Sequence, residues 1–369
     1  MTRIPLLVPR MPVAERLLPY LQQIDQNRWY TNFGPLNEEL EARILIDCGG
    51  RLQRRNVTTV SNCTVGLELA LQAHGLLRGS RVLIPAITFV ATATAVLRVG
   101  MIPVLSDIDP DTWVLTPAIA KAAAARMKID AVMPVSTFGY AHDPCSWDDF
   151  ARDTGLPVII DAAGAFGNQH YGELFDVVYS FHATKSFGAA EGGAVLSPSA
   201  QRIEKIRRLA NFGIDVSTGL LSELGTNGKM SEYHCAIGLA SFDEWDETKT
   251  ARRHLMKKYM AVLQEHCPSL TFQKKDPDGI YPLMSVAIPP LADIHKVQEL
   301  LASNSIETRR WYSPSLNMHP ALASLEHASS LEHADCLGNR ILGLPFFTTI
   351  EDEAIQHVCR TLAVALEVD

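Results

Sequence analysis

Short apolar runs alternate with Ala- and Leu-rich stretches over the first two-thirds of the chain, and this pattern limits the fold more than any other feature. Residues 57–60, 81–84, 102–106, 131–134 and 158–160 each read as a strand with apolar side chains on both faces, and 118–127 reads as an Ala-rich helix. Parallel strands need a long crossover, and a helix is the usual one. The expected class is therefore α/β, a mainly parallel central sheet with helices on both faces, plus a smaller C-terminal α+β domain. In a chain of 369 residues we place an N-terminal arm and helix at 1–20, a large domain at 21–245 and a small domain at 246–369. Residues 241–264 have helical periodicity, with Trp245 in the first turns, and are expected to link the two domains.

Candidate chemistry lies where such strands end. The run Val177-Val178-Tyr179-Ser180-Phe181-His182-Ala183-Thr184-Lys185 enters a Gly-rich turn, and Ala194-Val195-Leu196 leads away from it. A lysine held between two strands either reaches back to water along its stem or is partly desolvated. In the second case its pKa falls, and the neutral amine can attack a carbonyl. That is what a Schiff-base lysine needs, and pyridoxal phosphate (PLP) is the common aldehyde partner. Upstream, Pro157-Val158-Ile159-Ile160-Asp161-Ala162-Ala163-Gly164 is a buried strand ending in an acid and small residues. Asp161 is either a helix cap or the carboxylate that keeps a pyridine nitrogen protonated. Val57–Val60 runs into Ser61-Asn62-Cys63-Thr64-Val65-Gly66 and then a helical stretch, which is a potential anion site at a helix N-terminus. The chain contains no G-x-G-x-x-G or Walker A run, so a dinucleotide or nucleoside triphosphate fold is not expected.

In this order, the three segments resemble the DegT/DnrJ/EryC1/StrS family of PLP-dependent nucleotide-sugar aminotransferases. So do Trp29-Tyr30-Thr31-Asn32-Phe33-Gly34-Pro35, Pro85-Ala86-Ile87-Thr88-Phe89, Asn227-Gly228-Lys229-Met230-Ser231-Glu232, Arg309-Arg310-Trp311-Tyr312 and Ile341-Leu342-Gly343-Leu344-Pro345. The resemblance implies the fold-type-I, aspartate-aminotransferase-like architecture. It implies that Lys185 forms the Schiff base and shuttles the proton, while Asp161 pairs with the ring nitrogen. Phe89 would stack on the ring. Thr64 and Ser180, with the backbone of Cys63 and Val65, would hold the phosphate, and Asn227 would reach it from a second subunit. Gly164 stands where many members have Gln, so another group meets the cofactor's phenolic oxygen or the pocket is more open. Thr31, Phe33, His182, Lys229, Arg309 and Tyr312 are candidate substrate contacts. The implied partners are a second copy of the chain, a nucleotide-diphosphate 3- or 4-keto-deoxysugar, and L-glutamate with 2-oxoglutarate. A PLP-dependent dehydratase or epimerase, a non-catalytic PLP-binding regulator, and an α/β binding protein without PLP are the competing readings.

The remaining features restrict the class further. A net charge of −8 disfavours a nucleic-acid partner, although Arg28, Lys229, Arg309 and Arg310 could still form a local basic pocket. The seven cysteines are scattered without C-x-x-C spacing, which suggests reduced thiols and a cytoplasmic protein. No apolar run approaches the length of a membrane span or a signal segment, so no membrane partner is expected. The histidines show no ligand pairing, and no metal site is expected. If the strand continued to Lys185, His182 would point to the face opposite the lysine.

Overall fold

Strands that are apolar on both faces can only sit inside a layered structure, and here they do. The computed structural model describes residues 3–49 and 52–367. The large sheet contains β1 (Val57–Val60), β2 (Arg81–Pro85), β3 (Ile102–Ser106), β4 (Ala131–Val132), β5 (Ile159–Asp161), β6 (Asp176–Ser180) and β7 (Gly193–Leu196). Two ladders, β1–β7–β6–β5 and one ordered β4–β2–β3, are joined by parallel bridges Val132–Val158 and Val135–Asp161. All neighbours are parallel except β7, which runs antiparallel to both β1 and β6.

Helices cover both faces. On one side lie α1 (Ala14–Asn27), α2 (Pro35–Asp47), α6 (Pro144–Thr154) and α8 (Glu232–Asp243), over a cluster that includes Leu40, Trp147, Tyr179 and Phe181. On the other lie α3 (Cys63–Ala73), α4 (Val90–Arg98) and α7 (Ala200–Ala210), packed through Leu67, Val96 and Ile206. The Ala-rich α5 (Pro117–Arg126) starts with Pro at its first position, and the Thr116 hydroxyl caps it. It matches the expected helix to within a residue.

The expected helix over 241–264 is two helices. α8 ends at Asp243 and α9 runs Trp245–His266, with Glu244 between them at φ −110°, ψ 7°. Trp245 is buried against Phe166 and Phe187 of the large domain. Farther along α9, Leu255, Tyr259 and Leu263 pack in the small-domain core. Periodicity missed a single-residue break because α8 carries almost no amphipathic stripe of its own to mark where α9 begins. The small antiparallel sheet, in the order β11–β9–β8, comprises β8 (Thr271–Phe272), β9 (Met284–Ala287) and β11 (Ile341–Leu344). The helices α10 (Ile294–Ser303) and α12 (Asp352–Glu367) pack with α9 around it.

Two segments cross between these units. β10 (Glu326–His327) pairs in parallel with β3 at the edge of the large sheet, ahead of α11 (Glu332–Arg340). The N-terminal arm bridges to Ile306 through Ile4, and the Leu6 carbonyl accepts the Phe346 N–H at 2.9 Å. The arm therefore ties the chain start to the small domain before α1 packs on the large one.

Candidate active site

The carboxyl ends of β5 and β6, the start of α3 and the 309–312 segment enclose a cavity of about 810 Å³. Lys185 and Asp161 both line it. Asp161 is the last residue of β5 and is almost fully buried. Its Oδ2 accepts the Thr92 hydroxyl at 2.8 Å, and Oδ1 accepts the Ala163 N–H at 3.2 Å. The Cys63 thiol lies 3.9 Å from Oδ1. Burial pushes the carboxyl pKa above its ordinary value, while these donors and the Lys185 charge pull it back. Lys185 keeps some surface toward the cavity, but protein surrounds it. Burial lowers its pKa, and the nearby Cys63 and Asp161 charges oppose that shift. Among the described residues neither Asp161 nor Lys185 has an ion-pair partner within 4.0 Å.

The turn before α3 is built as an anion cradle. The Asn62 side chain caps the helix by accepting the Val65 N–H at 3.0 Å. Sequence reasoning gave the Val65 amide to the anion, but the cap has already used it. The amides of Cys63 and Thr64 have no acceptor among the described residues, and the Thr64 side chain lines the cavity beside Ser180. Gly193 lets β7 pass close behind this turn, since a Cβ there would lie 3.0 Å from the Cys63 nitrogen.

Phe89, the residue before α4, is 57% exposed and faces the cavity. Its ring centroid is 6.4 Å from that of Tyr312, which stacks on Phe138 at 5.0 Å. Arg309 reaches the cavity with its guanidinium carbon 4.6 Å from the Trp311 ring centroid. Gly164 lines the wall, and a Cβ added to it would meet nothing nearer than 3.4 Å. His182 departs from the strand-based expectation. β6 ends at Ser180, so alternation stops there, and His182 lines the same cavity as Lys185. Its Nδ1 is 2.9 Å from the Thr184 hydroxyl, and its Nε2 is 3.7 Å from Glu191.

Thr31, Phe33, Asn227 and Lys229 do not line this cavity. Phe33 lies 4.1 Å beneath the Arg207 guanidinium, and Lys229 sits 4.7 Å over Phe212. Asn227 is exposed and bridges to Asn211. Neither Arg28 nor Arg310 reaches the cavity; Arg310 donates to the Gly338 carbonyl. Sequence reasoning missed Thr92, Ser136, Phe138, Trp311 and the arm residue Leu7 as parts of the site. Thr92 carried no local signal: Thr88 precedes the Phe89 cap of α4, so the spacing of the two threonines is not a helical one.

These groups fit PLP, with an acid for the ring nitrogen, an amine for the aldehyde and free amides for the phosphate. A crystal structure of a putative PLP-dependent aminotransferase from Bacillus cereus superimposes with a TM-score of 0.90 at 30% identity, covering 98% of this chain and all of that one. The structure of DesI with its TDP-sugar product gives 0.88 at 33% identity, covering 99% of this chain and 94% of the other. The fold is thus that of the PLP-dependent aminotransferases. The dTDP-4-amino-4,6-dideoxy-D-glucose transaminase of Shigella dysenteriae is 31% identical over 96% of each chain. The DegT/DnrJ/EryC1/StrS aminotransferase family model matches residues 13–363, and the chain belongs to that family.

Proposed function

We propose that this protein transfers an amino group from L-glutamate to the 3- or 4-keto carbon of a nucleotide-linked deoxysugar. The observation that carries this reading is the convergence of Lys185, Asp161 and the α3 N-terminus on one cavity of about 810 Å³. Such a volume is within the range of sites that enclose a cofactor and part of a substrate. Two of the relatives described above, by their names, act on or bind dTDP- or TDP-sugars, which supports the sugar class.

PLP, when bound, supplies an aldehyde for the amine and a ring that takes up the electron pair left by a departing proton. The chain's own residues do the rest. Lys185, held toward its neutral form by burial, can accept the α-proton of the amino donor and return it on the cofactor side. Asp161, as an anion, keeps the ring nitrogen protonated. The Cys63 and Thr64 amides and the Thr64 and Ser180 hydroxyls would hold the phosphate at the positive end of α3. Phe89 would cover one face of the ring. Arg309, whose guanidinium has no ion-pair partner among the described residues, can meet a substrate anion, and His182 and Tyr312 offer polar contacts in the same cavity.

Thr31, Phe33, Asn227 and Lys229 belong, in this reading, to the site of a second copy. The exposed apolar residues Val216, Leu220, Leu221 and Leu224, just before Asn227, support a homodimer. The dimer would act in the cytoplasm; among the described residues no helix is long and apolar enough to cross a membrane.

The test is a two-stage assay on the PLP-loaded protein. Glutamate should bleach the visible band and release 2-oxoglutarate. A keto-sugar nucleotide should then restore the band and leave as the amino sugar. Lys185→Ala should lower turnover by about 10²–10⁴ or more. Full activity in that variant, or a band indifferent to glutamate, would refute the assignment.

A further inference from the structure

Beyond the site residues already named, one polar chain runs behind Asp161. The Thr92 hydroxyl donates to Asp161 Oδ2 at 2.8 Å, so its own proton is committed. The Thr88 hydroxyl lies 2.9 Å from that of Thr92, and it must therefore be the donor. Both threonines are buried, at 3% and 0% exposure. Thr92 lies in the first turn of α4 and Thr88 just ahead of its N-cap Phe89, and the bend there brings the two hydroxyls together. The result is a two-link chain, Thr88 to Thr92 to Asp161, with both protons pointing toward the carboxylate. Successive hydrogen bonds of one sense strengthen each other, most of all where water is excluded.

The charged and titratable groups facing Asp161 are Lys185, the Cys63 thiol and Tyr312. Lys185 is the only cation among them, and its amine is needed elsewhere in the site. Once it serves as the amine, the carboxylate relies on neutral donors to stay ionised. The Ala163 amide supplies one such donor, and the threonine chain supplies the other oxygen's partner.

We propose that Thr92, backed by Thr88, is a positioning residue that keeps Asp161 ionised and fixes the orientation of its carboxylate toward the cofactor's ring nitrogen. This rests on the reading that Asp161 meets that nitrogen.

The experiment compares PLP-loaded wild type, Thr92→Val, Thr92→Ser and Thr88→Val. It records the pH titration of the visible band, kcat, the KM for glutamate and thermal stability. Without the hydroxyl the ring nitrogen is held less positive, so the lysine-linked proton is repelled less and the titration midpoint moves to higher pH. Thr92→Val should show this shift with kcat about tenfold lower and KM within about twofold. Thr92→Ser, which keeps the donor, should restore both, and Thr88→Val should fall between. A wild-type midpoint and kcat in Thr92→Val would overturn the inference. Equal damage in Thr92→Val and Thr92→Ser, with lowered stability, would also overturn it, because packing would then be the cause. If wild-type protein gives no visible band with PLP, the reading of the site fails, and this inference fails with it.

Discussion

Gly193→Ala should weaken cofactor binding although the residue has no side chain to offer the cofactor. Gly193 pairs with Val60 of β1 on one side and with Ser180 of β6 on the other. A Cβ there would lie 2.6 Å from the Tyr179 carbonyl oxygen, 3.0 Å from the Cys63 nitrogen and 3.2 Å from the Asn62 carbonyl carbon. All three are backbone atoms, so no flexible side chain can swing aside. Bringing the closest contact to the ordinary 3.4 Å limit requires a displacement of about 0.8 Å. The atoms that must move are the turn before α3 and the end of β6, which carry the phosphate donors and Ser180. Overpacking of this kind costs about 1–3 kcal/mol. A misplacement near 1 Å in a binding constellation can cost about 10²-fold. We expect PLP affinity to fall by at least about tenfold and the urea midpoint to drop with an unchanged slope. Gly164→Ala is the matched control for stability alone, because its nearest contact would be 3.4 Å. A Gly193→Ala protein with PLP affinity within about twofold of wild type and stability within about 0.5 kcal/mol would refute the close-approach argument.

Three further outcomes follow from the same geometry. Asp161→Asn should abolish transfer yet stabilise the PLP-free protein near neutral pH. The carboxyl pKa is raised from 3.8, so its contribution is fully present below that value and is lost as pH rises through the folded-state pKa. Chemical denaturation from pH 4 to 8 should therefore show the variant gaining on wild type with rising pH, and a widening deficit would contradict this. Lys185→Met should raise PLP-free stability at neutral pH, because the amine's pKa is lowered from 10.5 and its penalty fades only as pH rises toward that value. Denaturant melts at pH 7 and pH 10 should show that gain shrinking, and a pH-independent difference would count against it. Glu232→Gln should cost about 1–3 kcal/mol in a urea melt, because the carboxylate accepts the Leu36 and Asn37 amides at 2.8 and 3.0 Å at the start of α2. A change below about 0.5 kcal/mol would show that water replaces it.

The sheet was readable because apolar runs of strand length leave few alternatives. Asp161 and Lys185 were readable because an acid at a strand end and an amine in the Gly-rich turn after the next strand are hard to explain as packing. What stayed hidden depends on contacts between distant residues. Thr92 meets Asp161 across 69 positions, and no local pattern encodes that distance. The Val65 amide looked available until the Asn62 cap claimed it. His182 was misplaced because strand alternation was carried past Ser180, where the backbone had already turned. The break at Glu244 was invisible to periodicity, since α8 carries almost no amphipathic stripe whose end could be seen. Glu232 was legible only as one residue of the Asn227–Glu232 resemblance, and nothing local announced that its side chain caps α2.

Reductive trapping offers the most direct measurement of all. The PLP-loaded protein would be treated with borohydride, digested and mapped by mass spectrometry. A pyridoxyl mass on the peptide containing Lys185, and its loss after prior incubation with glutamate, is the expected result. A label on another lysine such as Lys275 or Lys229, or no label at all, would contradict the assignment of this cavity as the site of amino transfer.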